Sequence, residues 1–294
     1  MIRLLLVCAI MVTAATGSSA GEAEPATVRV MSFNIRYNNP ADGVNRWDNR
    51  KDFVAEAIQA FDPDLLGTQE VLAGQRDDLK ARLPGYTVVA AGRDDGKERG
   101  EMSAVFYKTQ RFEHVESGHF WLSETPEKPG SKSWDSSLPR MVTWVKLKDR
   151  QQSGAKPILF LNTHFDHRGD TARVESAKLI REKMSTLGQG SRVVLTGDFN
   201  ASEGSKPYQM LFGEIEGTPS PVIDTYRTAH PKPFESEGTF SAFTAMALGS
   251  RIDWIAASRD WTVTAAAIDR TAREGRSPSD HFPVTAVLQA KPSE

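Results

Sequence analysis

The chain has 294 residues, 36 basic and 38 acidic, a net charge of −2, 39% hydrophobic residues and one cysteine. That composition is ordinary for a globular protein large enough to bury a sizeable core. It excludes a disulfide framework, and it argues against the general basic surface that grips duplex DNA nonspecifically, while a local basic patch stays compatible with it.

Arg3 precedes an apolar run from Leu4 to Ala15, and Ser18, Ser19 and Ala20 follow. Residues 1–20 therefore read as a secretory signal peptide cleaved near Ala20, which makes the mature chain secreted or periplasmic. An uncleaved anchor is the rival reading, but the run is shorter than the roughly 20 residues that span a bilayer. Cleavage removes Cys8 and Arg3, leaving 35 basic against 38 acidic residues and a net charge of −3. Residues 21–27 are small and polar and read as a flexible N-terminus.

Val28 to Phe33 alternates as a strand and delivers Asn34 to its end. The spacing of Phe53, Val54, Ala57, Ile58 and Phe61 predicts a helix over 45–61, closed by Pro63. Asp64 to Gln69 is a second strand with Glu70 at its end. A short helix over 75–83 and a strand over 86–91 follow, then a charged loop, then a strand from Met102 to Tyr107 with Glu101 at its start. Residues 112–122 read as a strand pair. The loop over 123–139 is long enough to flank a site, with Trp134 as an apolar contact surface. Strands over 141–147 and 158–162 precede a helix from Asp170 to Leu187.

The run Val193 to Thr196 is a buried strand, and Gly197 lets the backbone turn so that Asp198 and Asn200 project from its end. Taken alone, this stretch reads first as an ordinary Asx turn, and only the rest of the chain favours a site. A brief helix over 207–211, an irregular piece over 239–243, and strands over 252–255, 263–268 and 284–288 complete the chain. No stretch resembles a linker, no repeat has a fixed period, and alternating strands and helices predict one α/β sandwich domain.

Asn34, Glu70, His164, Asp198, Asn200, Asp253, Asp280 and His281 all fall at strand ends or in adjoining loops. Glu70 and Asp280, with Asn34, offer the hard oxygens that Mg²⁺ or Mn²⁺ prefers; zinc held by the histidines is less favoured. Asp253 lies in an apolar strand, where an unpaired carboxylate is costly and a His281 partner would satisfy it.

Six motifs run in order: Ser32-Phe33-Asn34, Gln69-Glu70-Val71, Asn162-Thr163-His164, Gly197-Asp198-Phe199-Asn200, Ile252-Asp253-Trp254 and Ser279-Asp280-His281-Phe282-Pro283. Together they resemble the endonuclease/exonuclease/phosphatase (DNase I-like) superfamily, and more closely a secreted bacterial branch of it with undefined substrates. The resemblance implies a four-layer α/β sandwich, two packed mixed β-sheets flanked by helices, as one catalytic domain over 28–290. It implies metal ligation by Glu70, with Asn34 and Asp280 nearby, and positioning of the attacking water or the phosphate by Asp198 and Asn200. His281, oriented by Asp253, would move a proton, and His164 would meet a phosphate oxygen with help from Glu101.

Arg36 departs from the abasic-site endonucleases, which have an acidic residue there, and this suggests a phosphate contact instead. His167 and Arg173 could face a phosphate or sugar, or could form a helix N-terminal charge cluster, and Arg140, at a strand start after the long loop, is similarly balanced. Trp47, Trp121 and Trp254 read as packing residues. The expected function is a secreted, divalent-metal-dependent phosphoesterase acting on a small, sugar-linked or lipid-linked phosphodiester. A nuclease and a non-catalytic binding module are the alternatives. The charge does not favour nucleic acid as the partner, no stable protein partner is implied, and no later segment could span a membrane.

Overall fold

The computed structural model describes residues 27–152 and 154–292. The expected signal peptide and residues 21–26 lie outside that range, and Thr27 already pairs with Gln289 in a sheet. Among the described residues no helix is long and apolar enough to cross a membrane.

In chain order the elements are β1 (Thr27–Asn34), α1 (Trp47–Phe61), β2 (Leu65–Val71), α2 (Ala73–Arg82), β3 (Tyr86–Val89), β4 (Met102–Lys108) and β5 (Phe112–Trp121). Next come β6 (Met141–Asp149), β7 (Ile158–His164), α3 (Asp170–Leu187), β8 (Arg192–Asp198), α4 (Lys206–Phe212), β9 (Val222–Asp224) and α5 (Thr225–Ala229). The chain ends with β10 (Asp253–Ser258), β11 (Trp261–Ile268) and β12 (Val284–Ala290). One six-stranded sheet has the order β11-β12-β1-β2-β4-β3, the other β5-β6-β7-β8-β10-β9. Each is mixed, with the parallel pairs β1/β2 and β7/β8 at its centre.

Burial on both faces of these strands produces four layers. Val28, Val30, Leu65, Val105, Phe160, Val194 and Ile255 meet in the core between the sheets. On the outer face of the first sheet, Met31, Phe33 and Leu66 pack against Val54, Ile58 and Leu79 of α1 and α2. On the outer face of the second, Leu159, Leu161 and Leu195 pack against Ala177, Ile180 and Met184 of α3 and Leu211 of α4. The helix-forming stripes seen in the sequence are thus the faces that cover the sheets. This is the expected two-sheet sandwich.

Several local expectations change. The first helix begins at Trp47, after a separate 3₁₀ turn over Pro40–Asn45, and Asp62 closes it in left-handed geometry at φ 51°. Residues 112–121 form a single strand rather than a pair. Gly118 lies opposite Trp144, and a Cβ there would stand 2.9 Å from the indole, so this glycine makes room for a ring across the ladder and turns nothing. Gly197 also lies inside a strand, where a Cβ would come within 2.8 Å of Thr163. It allows β7 and β8 to approach, and the turn falls at Asn200, at φ 47°. The short β9 and α5 were not anticipated. Trp47, Trp121 and Trp254 are buried, as expected.

Candidate active site

Three strand pairings assemble the site. Asn34 is the register partner of Gln69 across β1/β2, which sets Glu70 one residue beyond it. His164 pairs with Asp198 across β7/β8, and Asp253 pairs with Asp198 across β8/β10. Ser279 Oγ donates to the Asn34 carbonyl at 2.7 Å, tying the loop that carries Asp280 and His281 to the end of β1. Three site residues have left-handed backbone: Arg36 at φ 56°, Glu70 at φ 60° and Asn200 at φ 47°. Such geometry in Arg and Glu is unusual and persists where surrounding contacts over-determine it.

A cavity of about 400 Å³ is lined by Arg36, Tyr37, Glu70, Glu101, Leu138, Arg140, His164, His167, Asp198, Asn200, Phe240, Asp280 and His281. Ten of the thirteen sequence candidates are in this wall, and Asn34 and Asp253 stand directly behind it. Asp253 accepts from His281 Nδ1 at 2.9 Å. Asn34 Nδ2 donates to Glu70 Oε1 at 3.2 Å and to Asp198 Oδ2 at 3.0 Å. The Asn34 oxygen accepts Arg36 N–H at 3.0 Å, so this amide orients two carboxylates and the backbone after it. Arg173 lies elsewhere: it donates to the Asp166 carbonyl and pairs with Asp170, and it lines a separate cavity that shares only Asn200 with this one.

Burial first, and then the neighbouring Asp253 carboxylate, push Asp198 up to about 7. Burial alone would lower His281, but the Asp253 and Asp198 carboxylates outweigh it and hold the imidazole well above its ordinary value. His281 is therefore an imidazolium between two carboxylates, with Nε2 3.7 Å from Asp198 Oδ2. His164 is the opposite case. Burial and the Arg140 and Arg93 charges keep it neutral. Its Nε2 meets Asn200 Nδ2 at 3.0 Å, and its Nδ1 has no hydrogen-bond partner among the described residues. Glu101 is raised by burial and countered by Arg93, which grips it with two bonds of 2.8 Å.

The carboxylates fit a divalent cation. Glu70 Oε2 and Asp280 Oδ2 lie 3.9 and 3.7 Å from the Arg36 guanidinium, and Asp280 is pushed up by burial and by Glu70. Hard oxygens crowded together at this cost are what such an ion stabilises, and no cysteine lies among the described residues to hold a softer one. Asp198, Asp253 and His281 also place ligand atoms within 4.8 Å of one another. Within this group His281 pairs with both carboxylates, while Asp253 Oδ1 has no hydrogen-bond partner among the described residues.

The sequence matches the Endonuclease/Exonuclease/phosphatase family over residues 31–281. The chain belongs to that family. A Bacteroides thetaiotaomicron mannosyl-6-phosphatase is 40% identical, with a TM-score of 0.80 over 89% of this chain and 99% of its own. An endonuclease/exonuclease/phosphatase family protein from the same species is 38% identical, with a TM-score of 0.81 over 92% of this chain and 100% of its own. Among curated relatives, an uncharacterised protein of Acanthamoeba polyphaga mimivirus is 31% identical over 133 residues, 40% of this chain, and the match spans only 19% of that protein. By family this is a metal-dependent phosphoester hydrolase. A non-catalytic binding module is set aside.

Some functional neighbours were not seen in the sequence. Phe240 packs edge-on against His281 at 5.3 Å and lines the cavity. Leu138, not Trp134, brings the long loop to the site, and buried Asp166 holds that loop by accepting from Ser137 and Leu138. Arg50 of α1 donates to the carbonyls of Ile35, Arg36, Asn45 and Pro278. Its only sequence signal was an arginine on an otherwise apolar-facing helix turn.

Proposed function

We propose that this chain is an exported hydrolase of a small, sugar-linked phosphoester, working with Mg²⁺ or Mn²⁺ in one catalytic domain over 28–290. The observation that carries the reading is the convergence of Asp198, His281 and Glu70 on one bounded cavity of about 400 Å³, the size of a small-ligand site. The sequence alone favoured a diester; the 40% identical mannosyl-6-phosphatase supports a sugar phosphate. The net charge of −2 agrees with a small anionic substrate better than with a nucleic-acid duplex.

Glu70 and Asp280 would hold the cation, which supplies Lewis acidity at a phosphoryl oxygen when bound. In the reaction, a water oxygen bonds to phosphorus as the bond from phosphorus to the sugar oxygen breaks, and the departing alkoxide takes a proton from solvent water. Asp198, fixed by Asn34 Nδ2 and by Asn200 N–H at 3.0 Å, is raised far enough to accept a proton from that water. His281 keeps Nδ1–H on Asp253 and directs Nε2–H at charge growing on the phosphoryl group. Nη1 of Arg140, without a hydrogen-bond partner among the described residues, is a further anion contact, and neutral His164 adds a donor without repelling the cation. Purified protein should release phosphate from mannose 6-phosphate, and Asp198→Ala and His281→Ala should each abolish release while the circular dichroism stays native. Full activity in either variant removes that residue from the reaction.

A further inference from the structure

We propose that Arg36 makes the site select phosphate monoesters over diesters, by holding the third terminal oxygen that only a monoester offers. This rests on the phosphoester reading above and adds the class of ester that the cavity accepts.

Arg36 is restrained more than a surface charge requires. Its N–H is bound by Asn34 Oδ1, and its carbonyl accepts from Arg50 Nη2 at 2.7 Å and Gln75 Nε2 at 2.9 Å. Nε and Nη2 lie on Asp42 at 3.1 and 3.0 Å, and the guanidinium stacks on Tyr37 at 4.5 Å. An arginine held in this way has already lost the rotamer freedom that binding an anion would otherwise cost. Nη1 is left over: its nearest carboxylate is Glu70 at 3.9 Å, too far for a hydrogen bond, and the side chain lines the cavity.

Arg140 and His281 stand in the same wall, so two guanidiniums and an imidazole face the substrate. A monoester dianion has three terminal oxygens and up to two charges, whereas a diester has two terminal oxygens and one charge. Three nitrogen donors together with a divalent ion match the first. In the second, one donor would face an ester oxygen, a poor acceptor. The competing role for Arg36 is plain neutralisation of Glu70 and Asp280, which predicts no preference between esters.

The test compares kcat/KM for 4-nitrophenyl phosphate and bis(4-nitrophenyl) phosphate in wild type, Arg36→Gln and Arg36→Lys. Wild type should favour the monoester. Arg36→Gln should lower the ratio of monoester to diester kcat/KM about tenfold or more, the loss expected for one charge-assisted hydrogen bond made only to the monoester. Arg36→Lys should retain part of the preference. If Arg36→Gln does not fold, Asp42→Asn, which frees the guanidinium, should narrow the same ratio. A ratio unchanged in the folded variants, or a wild type that prefers the diester, overturns the assignment. A wild type that hydrolyses neither ester overturns the phosphoester reading and this assignment with it.

Discussion

Asp198 and Asp253 face one another as register partners across the β8/β10 ladder, two buried carboxylates bridged by the His281 imidazole. Two adjacent anions inside a protein cannot both ionise without a compensating proton or cation. The arrangement therefore keeps His281 charged and Asp198 near neutrality in pKa, the pairing of acid and base that phosphoester hydrolysis uses at neutral pH.

Asp253→Asn removes the carboxylate that does most to raise His281. The imidazolium is lost as pH rises through its folded pKa, so lowering that pKa moves the loss to lower pH. We expect kcat near pH 7.5 to fall by about 10²–10⁴, the range for a misplaced acid–base group, and the alkaline limb of the pH profile to shift downward. A profile superimposable on that of wild type contradicts the role given to Asp253.

Asp166 governs the long loop beside the cavity. Burial would raise its carboxyl, but donors from Gly169, Ser137 and Arg168 outweigh it and hold the group well below the usual carboxylate range. A depressed folded pKa supplies stability that is complete above the unfolded value of about 4 and is lost as pH falls through the folded one. Asp166→Asn should cost about 1–3 kcal/mol at pH 7 and flatten the decline of unfolding free energy below about pH 4. Urea denaturation across pH checks this, and parallel curves for the two proteins would count against it.

Arg50 is buried, and burial lowers its pKa to about 10. Its four carbonyl contacts join α1 to the Arg36 backbone and to Pro278, just before Asp280 and His281. Lysine has no fork to span these positions. Arg50→Lys should lose about 2–4 kcal/mol of stability and raise the Mg²⁺ concentration for half-maximal activity. A stability within about 0.5 kcal/mol of wild type, typical of an inert surface change, contradicts a clamping role.

The outline of the site was legible because it is built from local signals. Strand alternation and strand ends are readable within a few residues, and Asn34, Glu70, His164 and Asp198 sit where such ends were expected. What escaped depends on distance in sequence. Arg50 reaches Pro278 across 228 positions, and Phe240 reaches His281 from an irregular loop. Gly197 was misread for the same reason: it is required by a side chain of the neighbouring strand, Thr163, and does not turn the chain. Arg173 went the other way, since its charge is absorbed by its own helix start.

The central claim is that this cavity hydrolyses a phosphoester with a bound divalent cation. The direct measurement is phosphate release from mannose 6-phosphate by the full-length purified protein, before chelation, after EDTA treatment and dialysis, and after Mg²⁺ or Mn²⁺ is restored. Release that disappears on chelation, returns with the ion, and stays absent in Glu70→Gln under both conditions is the predicted result. Release that persists after complete metal removal, or that Glu70→Gln leaves untouched, contradicts the account.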